Sequence, residues 1–299
     1  MSMTILSFGA GQDSTVLAIK LALDPEFRAQ HAPEHLIAVF ADTGNEHPHT
    51  YSHVVKMGAF LAEHGIPLVI AGSEYRSASW TDGLIGQWTT GTPSIGSKAY
   101  PKTCTDKLKV QPIYKWLAQY LEGEGYGDAM RKKSLYGYAA EHGKIKVLLG
   151  IAAGEETRAK GITDKHAKWM QNNLEFIYPL IDLDMDRAAC QQYIASQTRI
   201  TGISCPMPSN CMFCPFNELF DLEWLHRNHP KDLQQWILLE ARKLRAHTSK
   251  GEKNLGVWGK FGVTLIDKLM EAHEKYGHMS DQELNEYKFS HGHCVKSAY

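Results

Sequence analysis

Over roughly its first 185 residues this chain alternates short apolar runs, each closed by turn or polar residues, with longer helix-prone stretches. Candidate strands fall at residues 4–8, 36–41, 67–71, 144–150 and 176–180, and helices at 14–23, 49–64, 105–121 and 164–172. Strand followed by helix, repeated, predicts a doubly wound α/β fold: a mostly parallel five-stranded sheet covered by helices, with ligands bound beyond the carboxyl ends of the strands. After Asp186 the strand pattern stops, and "DRAACQQYIASQ", "FDLEWLHRNHPKDLQQWILLEARKLRA" and "VTLIDKLMEAHEKYG" read as helices. The chain therefore divides into an α/β part, 1–185, and a helical part, 186–299. The Gly/Ser/Thr-rich stretch at 83–103 reads as the longest loop, of a length that more often serves function than idles.

A hydrophobic content of 43% over 299 residues allows a sizeable core. The net charge of −1 excludes a global field that would recruit nucleic acid or an anionic membrane, so any such contact must be a local patch. No apolar run approaches the roughly 20 residues of a membrane span. The opening "MSMTILSF" lacks the basic region of a signal peptide, and the expectation is a cytoplasmic protein. In such a setting six cysteines point to metal or catalytic use rather than disulfides.

The segment "TILSFGAGQDST" runs from the first strand through two glycines into the first helix, a geometry whose amides can cradle an anion. A Walker loop is excluded because no lysine is present. A dinucleotide loop fits Gly9 and Gly11, with Asp42 available for a ribose, but Ser14 stands where the third glycine belongs and Asp13 would face a pyrophosphate unneutralised. A nucleoside triphosphate with Mg²⁺ accommodates the aspartate. The alternative without a ligand is a tight turn capped by Asp13 or Ser14.

"SFGAGQDST" resembles the PP-loop of the adenine nucleotide α-hydrolase superfamily, usually Ser-Gly-Gly-x-Asp-Ser. "FADTGNEHPHTYSHV", "KTCTDKLKVQPI", "LGIAAGEETRA" and "YPLIDLDMDRAAC" are similar, in order, to motifs of its phosphoadenylyl-sulfate (PAPS) reductase branch, covering residues 4 to about 215. Two positions depart from that pattern, Gly9 for the usual serine and Ala10 for the usual first glycine. The resemblance implies an ATP pyrophosphatase that adenylates a substrate so that a sulfur or nitrogen nucleophile can displace AMP. It places ATP on Ser7, Phe8, Gly9, Ala10, Gly11, Gln12, Asp13 and Ser14, Mg²⁺ or pyrophosphate at Asp13, and the nucleoside near Asp42 and Thr43. Arg158 and Lys107 or Lys109 are candidates for steadying charge as the bond breaks.

Cys211-x-x-Cys214 brackets one turn and suits a shared metal, with Cys205 arriving from just upstream. Iron–sulfur sulfonucleotide reductases carry a Cys-Cys pair after the third strand, and Cys104 occupies that position here. Together Cys104, Cys205, Cys211 and Cys214 resemble the arrangement in DndC-type proteins of DNA phosphorothioation. The implied cofactor is a [4Fe–4S] cluster, with Zn²⁺ as the alternative for four thiolates. Implied partners are a cysteine desulfurase or other sulfur donor and a nucleic acid. The reductases end in a mobile segment with a nucleophilic cysteine, which makes Cys294 a catalytic candidate and sulfonucleotide reduction a second function. A non-catalytic nucleotide-binding subunit is the third, motivated by Gly9 and Ala10. Cys190, on an amphipathic helix, reads as a buried apolar residue.

His47, His49 and His53 read as a solvated helix start. Arg242, Lys243, Arg245, Lys250 and Lys253 suit a local phosphate-binding patch, with Trp258 and Phe261 nearby for base stacking. The competing reading is a solvated helix end with core aromatics.

Overall fold

The computed structural model describes residues 2–89, 97–99, 102–249, 251 and 255–292. Its five strands are β1 (Met3–Ser7), β2 (His35–Ala41), β3 (Leu68–Ala71), β4 (Ile145–Leu149) and β5 (Leu174–Ile177), paired in the order β3-β2-β1-β4-β5. Every pairing is parallel, with Ile5 opposite Ile37 on one side and Val147 on the other. The chain is thus α/β with an all-parallel sheet where a mostly parallel one was expected. The strand before Pro179 starts and ends earlier than its apolar run indicated, because the proline opens a helical turn (α8, Pro179–Asp182, following α7, Lys168–Asn173).

Both faces of the sheet are covered, which is why the strands are mostly apolar rather than alternating. Leu6 and Phe8 pack with α1 (Gln12–Leu23), α2 (Pro25–His31), α3 (Pro48–Glu63) and α9 (Arg187–Thr201) in one core layer. Met3 and Ile5 pack with α5 (Gln111–Gly123), α6 (Lys133–His142) and α7 in the other. A third cluster joins α4 (Gly83–Thr89), α10 (Leu219–Asn228), α11 (Pro230–Thr248), α12 (Leu265–Tyr276) and α13 (Asp281–His291), centred on the fully buried Trp236. The presumed loop at 83–103 therefore begins as helix. Among the described residues no helix is long and apolar enough to cross a membrane.

The order places β1 beside β4, where successive connections leave in opposite directions, and a crevice opens at such a switch point. Gly150, just past β4, allows the close approach there. A Cβ at this position would lie 2.7 Å from the Ser14 amide nitrogen and 2.9 Å from its Cα.

Candidate functional site

The crevice at the ends of β1 and β4 is lined by Ser7, Gly9, Gly11, Gln12, Asp13 and Ser14 from the first loop, by Thr43 after β2, and by Gly150 after β4. Gly11 precedes α1 with no side-chain cap, so the first amides of a 12-residue helix are left to a ligand or solvent. Ala10 holds φ at +54°, a left-handed conformation that a glycine takes without strain, and Gly11 sits where a Cβ would meet Ser209 Oγ at 2.9 Å. The loop is braced from behind. Thr15 Oγ1 lies 2.8 Å from Gly11 O and 2.8 Å from His53 Nε2, bridging the loop to α3.

Among the described residues four cations, Lys102, Lys109, Arg158 and Arg187, line the same crevice with one carboxylate, Asp13. Burial raises the Asp13 pKa, opposed by Arg187. Its Oδ2 is 3.4 Å from Arg187 Nη2, while its Oδ1 is buried with no hydrogen-bond partner. Asn210 also lines the crevice, and its Oδ1 is likewise buried and unpartnered. An unpartnered carboxylate oxygen at Asp13, in an amide-lined and cationic crevice, fits a cation that accompanies an anionic ligand, and the Asn210 oxygen fits a hydrogen-bond donor.

Not all expected residues face this crevice. Phe8 and Ala10 are buried in the first core layer, and Phe8 N donates to Val39 O. Asp42 stays outside, accepting from Tyr51 Oη at 2.7 Å and Gly44 N at 2.8 Å and pairing with Arg76 at 3.6 Å. It shapes the turn after β2. Lys107 pairs with its neighbour Asp106 and does not line the crevice, whereas Lys109 does and pairs with buried Glu46 at 3.4 Å. Sequence reading passed over Arg187, Glu155, Lys102, Asn210 and Gly150. Only Gly150 carried a local signal, as a glycine ending a strand.

Cys104, Cys211 and Cys214 line the crevice. The cysteine loop is docked on the β2 exit by a bridge between Glu46 and Cys211 and by Met212 N donating to Asn45 O at 2.7 Å. Cys211 Sγ donates towards Thr43 Oγ1 at 3.5 Å and Glu46 Oε1 at 3.7 Å, and burial holds its pKa well above the ordinary thiol range. Cys205 packs instead against the first core layer, which includes Cys190, and burial pushes both thiols up to about 12. Cys190 is fully buried, as expected. Among the described residues no group of three or more His, Cys, Asp or Glu side chains is arranged to hold a metal. Cys104, Cys211 and Cys214 thus share one crevice, while Cys205 packs against the first core layer. Cys294, Lys250 and Lys253 lie outside the described residues.

The histidines depart most from expectation. His47 is fully buried and His53 nearly so, against a solvated helix start. His47 stacks on His49 at 5.0 Å, meets Trp224 edge-on at 5.3 Å and lies 5.7 Å from His229. Buried Lys288 sits 4.6 Å over Trp224 and pairs with Asp221 at 2.6 Å. Burial, reinforced by Lys288, lowers His47 to about 2 and His49 to about 4, and burial lowers His53 to about 4. In the basic stretch Lys243 is buried, which lowers its pKa to about 7, so it faces inward. Trp258 carries Lys98 at 3.6 Å over its ring.

Compared with the models of known protein families and with curated protein sequences, the chain matches none of them.

Proposed function

We propose that this chain is an ATP pyrophosphatase of the PP-loop type that adenylates a substrate for sulfur transfer, a nucleic-acid phosphate or base being the candidate substrate. The observation that supports it is the crevice itself: uncapped helix amides, four cations and one buried carboxylate converge where a parallel sheet binds its ligands.

In this reading the amides of residues 9–14 and the Ser14 hydroxyl receive the phosphates. Arg158, Arg187, Lys102 and Lys109 offset their charge. A substrate oxygen attacks the α-phosphorus, the bond to pyrophosphate breaks, and the cations stabilise charge gathering on the departing group. An incoming sulfur nucleophile then displaces AMP and takes the bond to the substrate. Asp13 would hold Mg²⁺, which when bound neutralises phosphate charge and polarises the breaking bond.

Incubation with α-labelled ATP, Mg²⁺ and sulfide as the sulfur nucleophile, with and without DNA or RNA, tests this. AMP and pyrophosphate in equal amounts, lost in Asp13→Asn, are expected; no AMP under any of these conditions would reject it. The three thiols on the same crevice support a second reading, a sulfonucleotide reductase, for which sulfite release from PAPS is the diagnostic product.

A further inference from the structure

The two arginines facing the crevice share one carboxylate behind them. Glu155 Oε1 accepts from Arg187 Nη2 at 2.8 Å, and Glu155 Oε2 pairs with Arg158 Nη1. Arg158 and Arg187 line the crevice, but Glu155 is not among its lining residues. The three side chains are 15–19% exposed, so water screens these pairs only in part. Glu155 and Arg158 follow β4 while Arg187 opens α9, and the shared carboxylate ties these elements together beside the loop. Each guanidinium carries its N–H donors in a rigid planar fork, so the bond to Glu155 orients that plane. Without a shared anion, two neighbouring cations would repel and splay apart.

We propose that Glu155 is a positioning residue that braces Arg158 and Arg187 into a two-guanidinium clamp, selecting ligands with at least two linked phosphoryl groups. The inference rests on reading the crevice as a polyphosphate site. One phosphoryl group is served by the amides of residues 9–14 at the start of α1, and the next is met by the clamp. Glu155 thereby sets the discrimination between nucleoside triphosphate and monophosphate, while contacting neither.

Calorimetric titration of the full chain with ATP, inorganic pyrophosphate and AMP, each with Mg²⁺, tests the clamp. Glu155→Gln is expected to weaken ATP and pyrophosphate by roughly tenfold or more, the scale of a lost charge-assisted contact, with AMP affinity and thermal midpoint nearly unchanged. Equal weakening of ATP and AMP, no change, or tighter ATP binding would overturn it. Should Glu155→Gln not fold, Arg187→Lys keeps the charge but removes the fork, and the same ATP-selective loss is expected; equal losses would again overturn the clamp. A wild-type chain that binds ATP but shows no selective effect in either variant removes the clamp alone. A wild-type chain that binds neither ATP nor pyrophosphate removes the polyphosphate reading and the clamp with it.

Discussion

Mild acid should destabilise this protein through His47, His49 and His53. Their pKa values in the fold are about 2, 4 and 4, against an ordinary value of 6.5. Because the folded state resists protonation, the unfolded chain binds more protons as pH falls. The stability associated with keeping these rings neutral is present above about pH 6.5 and is lost progressively below it, down to the folded values. At about pH 5.5 each ring has lost about 1.4 kcal/mol relative to neutral pH, or about 4 kcal/mol for the three. That is a large part of a typical total stability of about 5–15 kcal/mol. His31, lowered by burial beside Phe27, adds to the trend. Urea unfolding followed by circular dichroism between about pH 7.5 and 5.5 measures the effect. His47→Phe, which keeps an aromatic ring against Trp224, is expected to reduce the pH slope by about one proton's worth. A flat profile across that range, or an unchanged slope in His47→Phe, would refute the placement of these rings in a dry interior beside Lys288.

Gly150→Ala would force a methyl group against the Ser14 amide and is expected to weaken ATP binding more than tenfold by displacing the loop, read by calorimetry at a temperature where the variant is folded. Lys109→Gln is expected to weaken ATP binding several-fold and lower the thermal midpoint, since it leaves buried Glu46 without its cation, whereas Lys107→Gln changes neither. Equal effects of the two lysines would contradict the crevice geometry. In anaerobically purified protein, Cys205→Ser is expected to leave iron, sulfide and zinc content unchanged, because its sulfur packs against the sheet's helical cover; metal lost from that variant would show that the thiols regroup.

The sheet was legible because each strand is a short apolar run with its own punctuation, and the first loop because its chemistry is contiguous from Ser7 to Ser14. What the sequence hid was long-range or a matter of phase. Arg187 meets Asp13 and Glu155 only because α9 packs along α1. Lys109 rather than Lys107 reaches the crevice because residues Asp106–Val110 form a π-helical turn before α5, which shifts the helical phase that a regular 3.6-residue period would assign. The burial of His47 and His49 depends on Trp224 and Lys288, both far along the chain, so no local pattern could report it. For the same reason the spacing of Cys205 from Cys211 revealed nothing of the separate layers into which they fold.

The most direct test of the central claim is a crystal structure grown with Mg²⁺ and a slowly hydrolysed ATP analogue. Phosphate oxygens within hydrogen-bond distance of the amides of residues 9–14, with Arg158 and Arg187 turned onto the distal phosphates, are the expected result. An analogue bound elsewhere, or a crevice filled only by solvent at saturating concentration, would contradict it.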